Sequence, residues 1–536
     1  MNTFLQRLAA LTLLLLAAAP AAHAQGVTTS ALNGTVTDNQ GVSLPGVNVI
    51  AVHQPSGTRY GVATRSDGRY NLRNLRVGGP YTIQFSFIGF QSYEETDITL
   101  ALGEDRLLDV TLRDESLQAG EVEVTAERGQ LLSAENKGAG TNVSQEEIER
   151  IPTINRSLTD FTRLTPQFAP TGSGSESGTS VAGASSRFNN IQIDGAAIND
   201  GFGLEDSGTP GGSSGTQPIS LDAIQEFQVA ISPYDVTQGN FSGGSINVVT
   251  KSGTNTFRGS GYYLGRNESL VGDFEEQAFD DFGEFTAGAT LGGPILKDKL
   301  FFFLSGEAVR RDTPIRAGFL DDPSATTFQA NQSSVQEVLD ILNTQYGRDA
   351  GSLGQFDQST VSNKLFARLD YNINSSNNAT LRFNYVKGEL DDGIFRSSGT
   401  SYQLEDRYYK RENTNTSTVF ELNSLFGARY ANQFRASLQT NRQPSTLQFA
   451  PFPSIDINNV GAGDTFVNED GQTVVSRGGR INLGPDQFRG ANNIDADIFE
   501  LTNNFNIFAG DHVITLGTQN TYQNFANLFI RNFYGY

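Results

Sequence analysis

The second half of this chain alternates, and that pattern limits what it can fold into. Leu365, Ala367, Leu369, Tyr371 and Ile373 alternate with Lys364, Arg368, Asp370 and Asn372, and Phe366 breaks the pattern. After Ser375-Ser376-Asn377-Asn378 the same period continues, with Leu381, Phe383 and Tyr385 set against Arg382 and Asn384. Further on, Phe499, Leu501, Phe505 and Ile507 alternate with Glu500, Thr502, Asn504 and Asn506, and Gly510-Asp511 then turns the chain toward Val513. A period of two belongs to a strand with one apolar and one polar face. Strands of about 10 residues, joined by short turns at one end and long connections at the other, form a barrel whose apolar face meets lipid. A soluble sandwich also alternates, but it does not account for connections as long as Arg311 to Ser362 or Gln443 to Ile494. One of these connections is expected to carry a helix. Ser334 and Glu337 have capping-box spacing, and Val335, Val338, Leu339 and Leu342 share a face.

Composition narrows the choice. A mean hydropathy of −0.33 is too polar for a helical membrane protein. An aromatic content of 10%, from Phe and Tyr without Trp, suits a wall in which half the positions face water and rings mark the lipid boundary. Cysteine is absent, so no disulfide and no Cys-ligated metal can form. The net charge of −21 argues against a nucleic-acid partner, whose phosphates would be repelled.

Residues 1–24 read as a secretory signal peptide. Arg7 precedes the apolar run Leu8 to Ala19, Ala22-His23-Ala24 is a cleavage site, and Gln25 starts the mature chain. The run is shorter than the roughly 20 residues a spanning helix needs.

Residues 27–113 read as short strands and turns, among them Ala31 to Asp38, Val47 to His53 and Tyr81 to Phe87. Asp67-Gly68 has the signature of a hairpin turn between Gly61-Val62-Ala63-Thr64 and Tyr70-Asn71-Leu72. The stretches Gly34-Thr35-Val36-Thr37-Asp38, Pro45-Gly46-Val47-Asn48-Val49, Asp67-Gly68-Arg69-Tyr70 and Ile88-Gly89-Phe90 resemble the carboxypeptidase regulatory-like domain. That resemblance implies a transthyretin-like β-sandwich and no peptidase activity.

Residues 129–252 are built differently. Ser144 with Glu147 forms a capping box for a helix ending at Arg150-Ile151-Pro152, and a second short helix is expected from Ser157 to Leu164. A Gly/Ser-rich stretch, Thr171 to Ser180, precedes a strand that runs into the turn Ile193-Asp194-Gly195. Leu221 to Val229 reads as a helical turn feeding a strand, and Gly244-Ser245-Ile246-Asn247-Val248-Val249-Thr250-Lys251 closes the region. In this order these segments resemble the plug domain of TonB-dependent outer-membrane receptors, with Ile193, Asp194, Gly195, Gly244, Thr250 and Lys251 as the plug motif.

Between the two regions, in a linker over 117–128, lies Glu121-Val122-Glu123-Val124-Thr125-Ala126, an isolated alternating segment. It resembles a TonB box, which adds as a strand to an energising partner in the periplasm. Arg187 to Gly195 and Gly292 to Phe303 carry a closer resemblance to the Oar-like group. In the related glycan-importing group the box is followed by an Ala-Leu-Gly-Ile-like run, whereas Ala126-Glu127-Arg128-Gly129 stands here.

The chain offers no constellation for catalysis. His23 is lost with the signal, and His53 and His512 are isolated in sequence, which argues against zinc catalysis and a Ser-His-Asp site. Asp194, Asp200, Glu205 and Asp206 cluster around glycines, but their spacing fails the EF-hand loop, so the cluster reads as a solvated turn and no metal is expected.

The expected fold is mainly β: a sandwich, a mixed α/β plug, and the first part of a transmembrane antiparallel barrel over 256–536. Roughly nine or ten strands precede Tyr536, against about 22 in plugged transporters, so the sequence reads as C-terminally truncated. The resemblance implies a non-enzymatic importer in the cell outer membrane, without cofactor. The N-terminal domain and box would be periplasmic, with a TonB-type protein, outer-membrane lipid and an extracellular ligand as partners. The alternative is a surface-binding or adhesion protein that does not transport.

Overall fold

The computed structural model describes residues 27–115, 139–153, 156–171, 178–231, 235–239, 241–271, 282–315, 318–321, 328–353, 356–392, 399–467 and 471–536. The signal peptide and the segment Glu121 to Ala126 lie outside the described residues.

Two sheets make up the N-terminal domain. In one, Ser30–Thr37 pairs antiparallel with Arg69–Leu75 and parallel with Asp105–Leu107 and Val110–Thr111. The other has the order Thr58–Ala63, Asn48–His53, Gly78–Ser86, Tyr93–Leu100. Their inner faces bury Leu32, Val49, Tyr70, Leu72, Ile83 and Phe85 completely. Asp67-Gly68 therefore does not join a hairpin. The turn closes, with the Gly68 N–H donating to the Arg65 carbonyl, but the strands on either side of it enter opposite sheets. Alternation gives each strand an apolar face, and turn chemistry does not say which neighbour that face will meet.

His53 is not isolated in space: its Nδ1 lies 2.7 Å from Ser56 Oγ. Ser56 is fully buried and its hydroxyl also meets Thr58 Oγ1. Burial, with the nearby Arg76 charge, lowers the imidazole pKa to about 3 and keeps it neutral.

The middle domain is a five-stranded mixed sheet with the order Ala196–Ala197, Asn190–Ile193, Gly244–Thr250, Ile224–Ile231, Ala139–Ser144. Asn190–Ile193 runs parallel to Gly244–Thr250, and Ala139–Ser144 is an edge strand. Helix Gln145–Arg150 starts at Ser144 with a complete capping box formed with Glu147. The second helix, Leu158–Thr162, buries Leu158 and Phe161 against Phe227 and Val229.

Among the described residues nine antiparallel strands form the wall: Arg258–Asn267, Gly283–Leu296, Leu300–Ile315, Phe356–Asn374, Asn377–Asp392, Tyr409–Phe426, Tyr430–Leu447, Asn492–Ala509 and His512–Phe529. Most are longer than the alternation suggested, up to 19 residues, because pairing continues past the apolar band into the connections. Each step of that ladder satisfies backbone groups that lipid cannot. The outer face is apolar, with Leu365 and Leu381 44–50% exposed, whereas Asp370 and Arg382 on the inner face are buried. Phe366 now has its reason. It points inward, packs on Phe303, and both rings join the apolar core of the middle domain.

On the long-connection side, helix Gln332–Tyr346 packs on a sheet of Ser401–Gln403, Thr473–Leu483 and Ile455–Val467. Val335, Leu339 and Leu342 are buried there with Phe328 and Ile481, so this cap has its own core. The capping box at Ser334 does not form. Asn331 is the N-cap residue, and both its N–H and the Ser334 hydroxyl donate to Asp464 of a distant connection. A carboxylate from outside the helix takes the role expected of Glu337.

The N-terminal sandwich lies along the short-turn rim of the wall. Arg69 pairs with Asp511, Arg65 donates to the Gly510 carbonyl, and Asn372 donates to Thr58 Oγ1. Leu425, Ala431 and Phe508 of the wall complete its apolar core.

Candidate functional site

Asp194 and Gly195 form a tight turn because both adopt left-handed backbone, with φ of 47° and 71°. The pairing of Ile193 with Ala196 across it makes a two-residue hairpin, for which Asp-Gly is a preferred sequence. The turn projects from the sheet toward the inner wall, and there it is held. Thr250, at the end of the neighbouring strand, donates its N–H (3.0 Å) and hydroxyl (2.8 Å) to the Asp194 carboxylate. On the other side of that carboxylate stand Arg382 Nε at 3.1 Å and Arg368 Nη1 at 3.5 Å, both from wall strands.

The main chain is held as well. Arg382 donates to the Ile193 carbonyl at 2.7 Å, Arg368 to the Thr250 carbonyl at 3.0 Å, and Arg435 to the Gly195 carbonyl at 3.1 Å. Gly195 cannot carry a side chain here, since a Cβ would overlap the Arg435 guanidinium. Arg368 pairs also with Asp370 at 2.9 Å and Arg435 with Glu421 at 2.7 Å, while among the described residues the carboxylate paired with Arg382 is that of Asp194 alone. The sandwich enters the same network. Arg76 lies 3.5 Å from Asp370 and donates to Ser252 Oγ at 3.1 Å, and Thr28 Oγ1 accepts from Arg435. A cavity of about 190 Å³ lies where the three domains meet, lined by Arg76, Asp194, Arg368, Arg382 and Glu421 among others.

A second junction ties the sandwich to the middle domain. Glu226 accepts from the Leu102 N–H at 2.8 Å and from Asn142 Nδ2 at 3.1 Å, while Asn142 also donates to the Leu102 carbonyl. Burial raises the Glu226 pKa to about 7 in spite of those donors.

The structure thus gathers Ile193, Asp194, Gly195 and Thr250 at one latch. Gly244 sits at the far end of its strand, where a Cβ would lie 3.0 Å from Phe168 and Val181. Lys251 turns away, toward Glu149 at 3.8 Å, and its burial lowers its pKa. The acidic cluster disperses. Asp200 caps the amides of Phe202, Leu204 and Glu205; Glu205 accepts from Ser213 and Gln443; Asp206 faces Arg187. Sequence reasoning missed Arg368, Arg382, Arg435 and Glu421 as members of the site. A trace of them was present, since an arginine on the inner face of an amphipathic strand must find a buried partner.

Three family models match the chain in order: the carboxypeptidase regulatory-like domain over residues 31–113, the TonB-dependent receptor plug domain over 134–246, and an outer membrane β-barrel domain over 249–356. Among curated proteins the chain is similar to the TonB-dependent transporter Oar of Myxococcus xanthus, at 27% identity over 376 residues, covering 66% of this chain and 33% of that protein. It is also similar to the TonB-dependent receptor P39 of Formosa agariphila, at 32% identity over 119 residues, covering 22% of this chain and 10% of that one. The chain thus spans a third or less of the length of these relatives. Among solved structures, the outer membrane transporter YddB from Escherichia coli aligns with a TM-score of 0.49 and 14% identity, over 72% of this chain and 48% of that one.

Proposed function

From a chain that carries the regulatory-like, plug and barrel domains typical of TonB-dependent, Oar-like receptors, we propose gated import of a ligand across the outer membrane, driven by a TonB-type partner in the periplasm. The observation that carries this reading is the latch. The plug is held to the wall around Asp194 by ion pairs and hydrogen bonds. Buried ion pairs fix geometry strongly but contribute little net stability, because desolvation offsets the attraction. Such a seat orients a stopper and lets it go when a modest force is applied.

The topology supports a path for that force. Ala139–Ser144 follows Glu121 to Ala126 in the chain and is the edge strand of the plug sheet. A pull from its N-terminal side breaks ladder bonds one pair at a time, starting at Ala139 and Ile231 and moving toward Ser144 and Glu226. The cap beyond the wall has its own core and a cavity of about 550 Å³ bordered by Arg407, Arg480, Asp456 and Asp486, which suits reception of a ligand outside. Energy must come from the inner membrane, as the relatives named for TonB dependence suggest.

The test is Val124→Pro in the full-length protein. Strand addition needs backbone donors, and proline removes one and fixes φ. The expected result is loss of binding to the partner's periplasmic domain and of ligand accumulation, with surface binding unchanged, while Val124→Ala is much milder. Normal accumulation by the proline variant would reduce the segment to a linker. Surface binding without accumulation by the unaltered protein would instead favour adhesion.

A further inference from the structure

The plug does not meet the wall in the same way everywhere. Toward the strands Leu300–Ile315 and Phe356–Asn374 its contact joins apolar packing, through Phe303 and Phe366, to polar groups that are already engaged, with Thr216 Oγ1 on Ser362 Oγ and Arg368 on Asp194 and Thr250. Where Glu307 faces the plug on that side, it is fully engaged by Ser220, Tyr262 and Lys364. Among the described residues, the last four strands of the wall, from Tyr409 to Phe529, hold most of its unpartnered buried polar atoms; on the earlier strands these are Asn372 Oδ1, whose amide meets the sandwich, and the Nε atoms of Arg311 and Arg382. Asn413, Asn415, Gln439, Thr502 and Gln519 are each more than nine-tenths buried, yet each keeps a side-chain polar atom without a hydrogen-bond partner.

These five residues face the plug. Asn413 shares a strand face with Arg411, which donates to the plug's Ser213 carbonyl, and Asn413 Oδ1 would lie 3.0 Å from a Cβ on Gly211. Gln439 lies between Arg435, bound to Gly195, and Gln443, bound to Glu205, on one strand face. Thr502 pairs across the ladder with Arg435 and Gln519.

The five also form a band with a direction. Asn413 and Asn415 lie 13 and 11 residues from their strand's short-turn end at Phe426. Gln439 lies 9 residues from Tyr430, Thr502 lies 7 from Ala509, and Gln519 lies 7 from His512. At about 3.4 Å per residue, the band descends roughly 20 Å from the cap side toward the latch. Glu500 lies along it, between Gln439 and Thr502.

Buried polar atoms left without protein partners are satisfied by water or by a solute. Apolar contacts and fully engaged carboxylates, by contrast, exclude both. We propose that the ligand's path runs between the plug and this band, and that it admits neutral solutes carrying both hydrogen-bond donors and acceptors. The free amide N–H groups of Asn415 and Gln439, the carbonyls of Asn413 and Gln519, and the Thr502 hydroxyl offer both kinds of partner. The arginines at the two ends of the band are already paired, Arg411 with Asp392 and Arg435 with Glu421, so an anion gains no uncompensated cation there. The inference rests on the import reading, and its test separates the two.

These 536 residues contain no cysteine, so once any cysteine outside them is replaced, single-cysteine variants report one position each. Gln439→Cys, Thr502→Cys and, on the opposite side, Ser305→Cys are made in the full-length protein in cells. Val467→Cys, 68% exposed on the cap, serves as a separate check of surface delivery and reagent activity. Cells are treated with a neutral sugar-linked maleimide or a sulfonated one, with the proton gradient intact or collapsed. With the gradient intact, labelling of Gln439→Cys and Thr502→Cys by the neutral reagent should rise about tenfold, the response to an opening shift of about 1.4 kcal/mol. Ser305→Cys should stay silent, and the sulfonated reagent should lag. A rise at Ser305→Cys alone would overturn the lane and leave import standing. Strong labelling of the band that ignores the gradient would support the lane and overturn import. Silence at the band while Val467→Cys reacts, or equal labelling by both reagents, would overturn the proposal.

Discussion

Replacing Asp194 with Asn isolates the electrostatics of the latch. The change preserves shape, and Asn tolerates the left-handed backbone at φ 47° as Asp does, so the turn itself is not perturbed. What goes is the charge that Arg382 faces at 3.1 Å and Arg368 at 3.5 Å. Arg368 keeps Asp370, but the Arg382 side chain, fully buried, is left without an anionic partner. Breaking a buried pair from one side costs about 3–5 kcal/mol, most of it the penalty of the orphaned charge. Removing the charge on both sides should cost much less, so Arg382→Met added to Asp194→Asn should recover a large part of the loss. Hydrogen exchange in the membrane-embedded full-length protein reads this directly through the amides of Asp194 and Thr250, which donate to Val248 O and to Asp194 itself. At the lower end of that range the single variant should exchange roughly a hundredfold faster, since each 1.36 kcal/mol is a factor of ten. Exchange within a few-fold of the unaltered protein, or a double variant whose loss equals the sum of the two singles, would refute the latch as described.

Gly195→Ala should loosen the same latch by a different route. Left-handed backbone costs a residue with a Cβ about 1–2 kcal/mol, and the Arg435 guanidinium must also leave the Gly195 carbonyl, so exchange at Thr250 should again rise. Glu226 makes the sandwich–plug junction sensitive to pH. Its folded pKa, raised to about 7 from the ordinary 4.5, means the folded state holds the proton more tightly, so this contribution is complete below about pH 4.5 and is lost as pH rises through 7. Protection of the Leu102 amide should therefore fall between pH 5 and pH 8, and Glu226→Gln should flatten that dependence; a profile unchanged by the substitution would remove Glu226 as its source.

What the sequence determined by itself is local. Alternation from Leu365 to Ile373 and from Leu381 to Tyr385 specified strands and which face would meet lipid, because a pleated strand sends successive side chains to opposite sides whatever lies beyond. The Ser144–Glu147 cap, the Asp194-Gly195 turn and the strand from Ile224 were legible for the same reason, as each is decided within a few residues. The tertiary structure decided everything that depends on residues far apart in the chain. Asp67-Gly68 could be read as a turn, but only packing sent its two flanks into different sheets. Ser334 looked like a cap until Asp464, 130 residues away, supplied the acceptor. Phe366 looked like an error in the pattern until the plug's core was set against it. The arginines of the latch follow the same rule: sequence places them on an inner face, and only the fold brings Arg382 to Ile193 across 189 residues. A charge on that face must be paired once water is excluded, but the strand that carries it does not encode where its partner will come from.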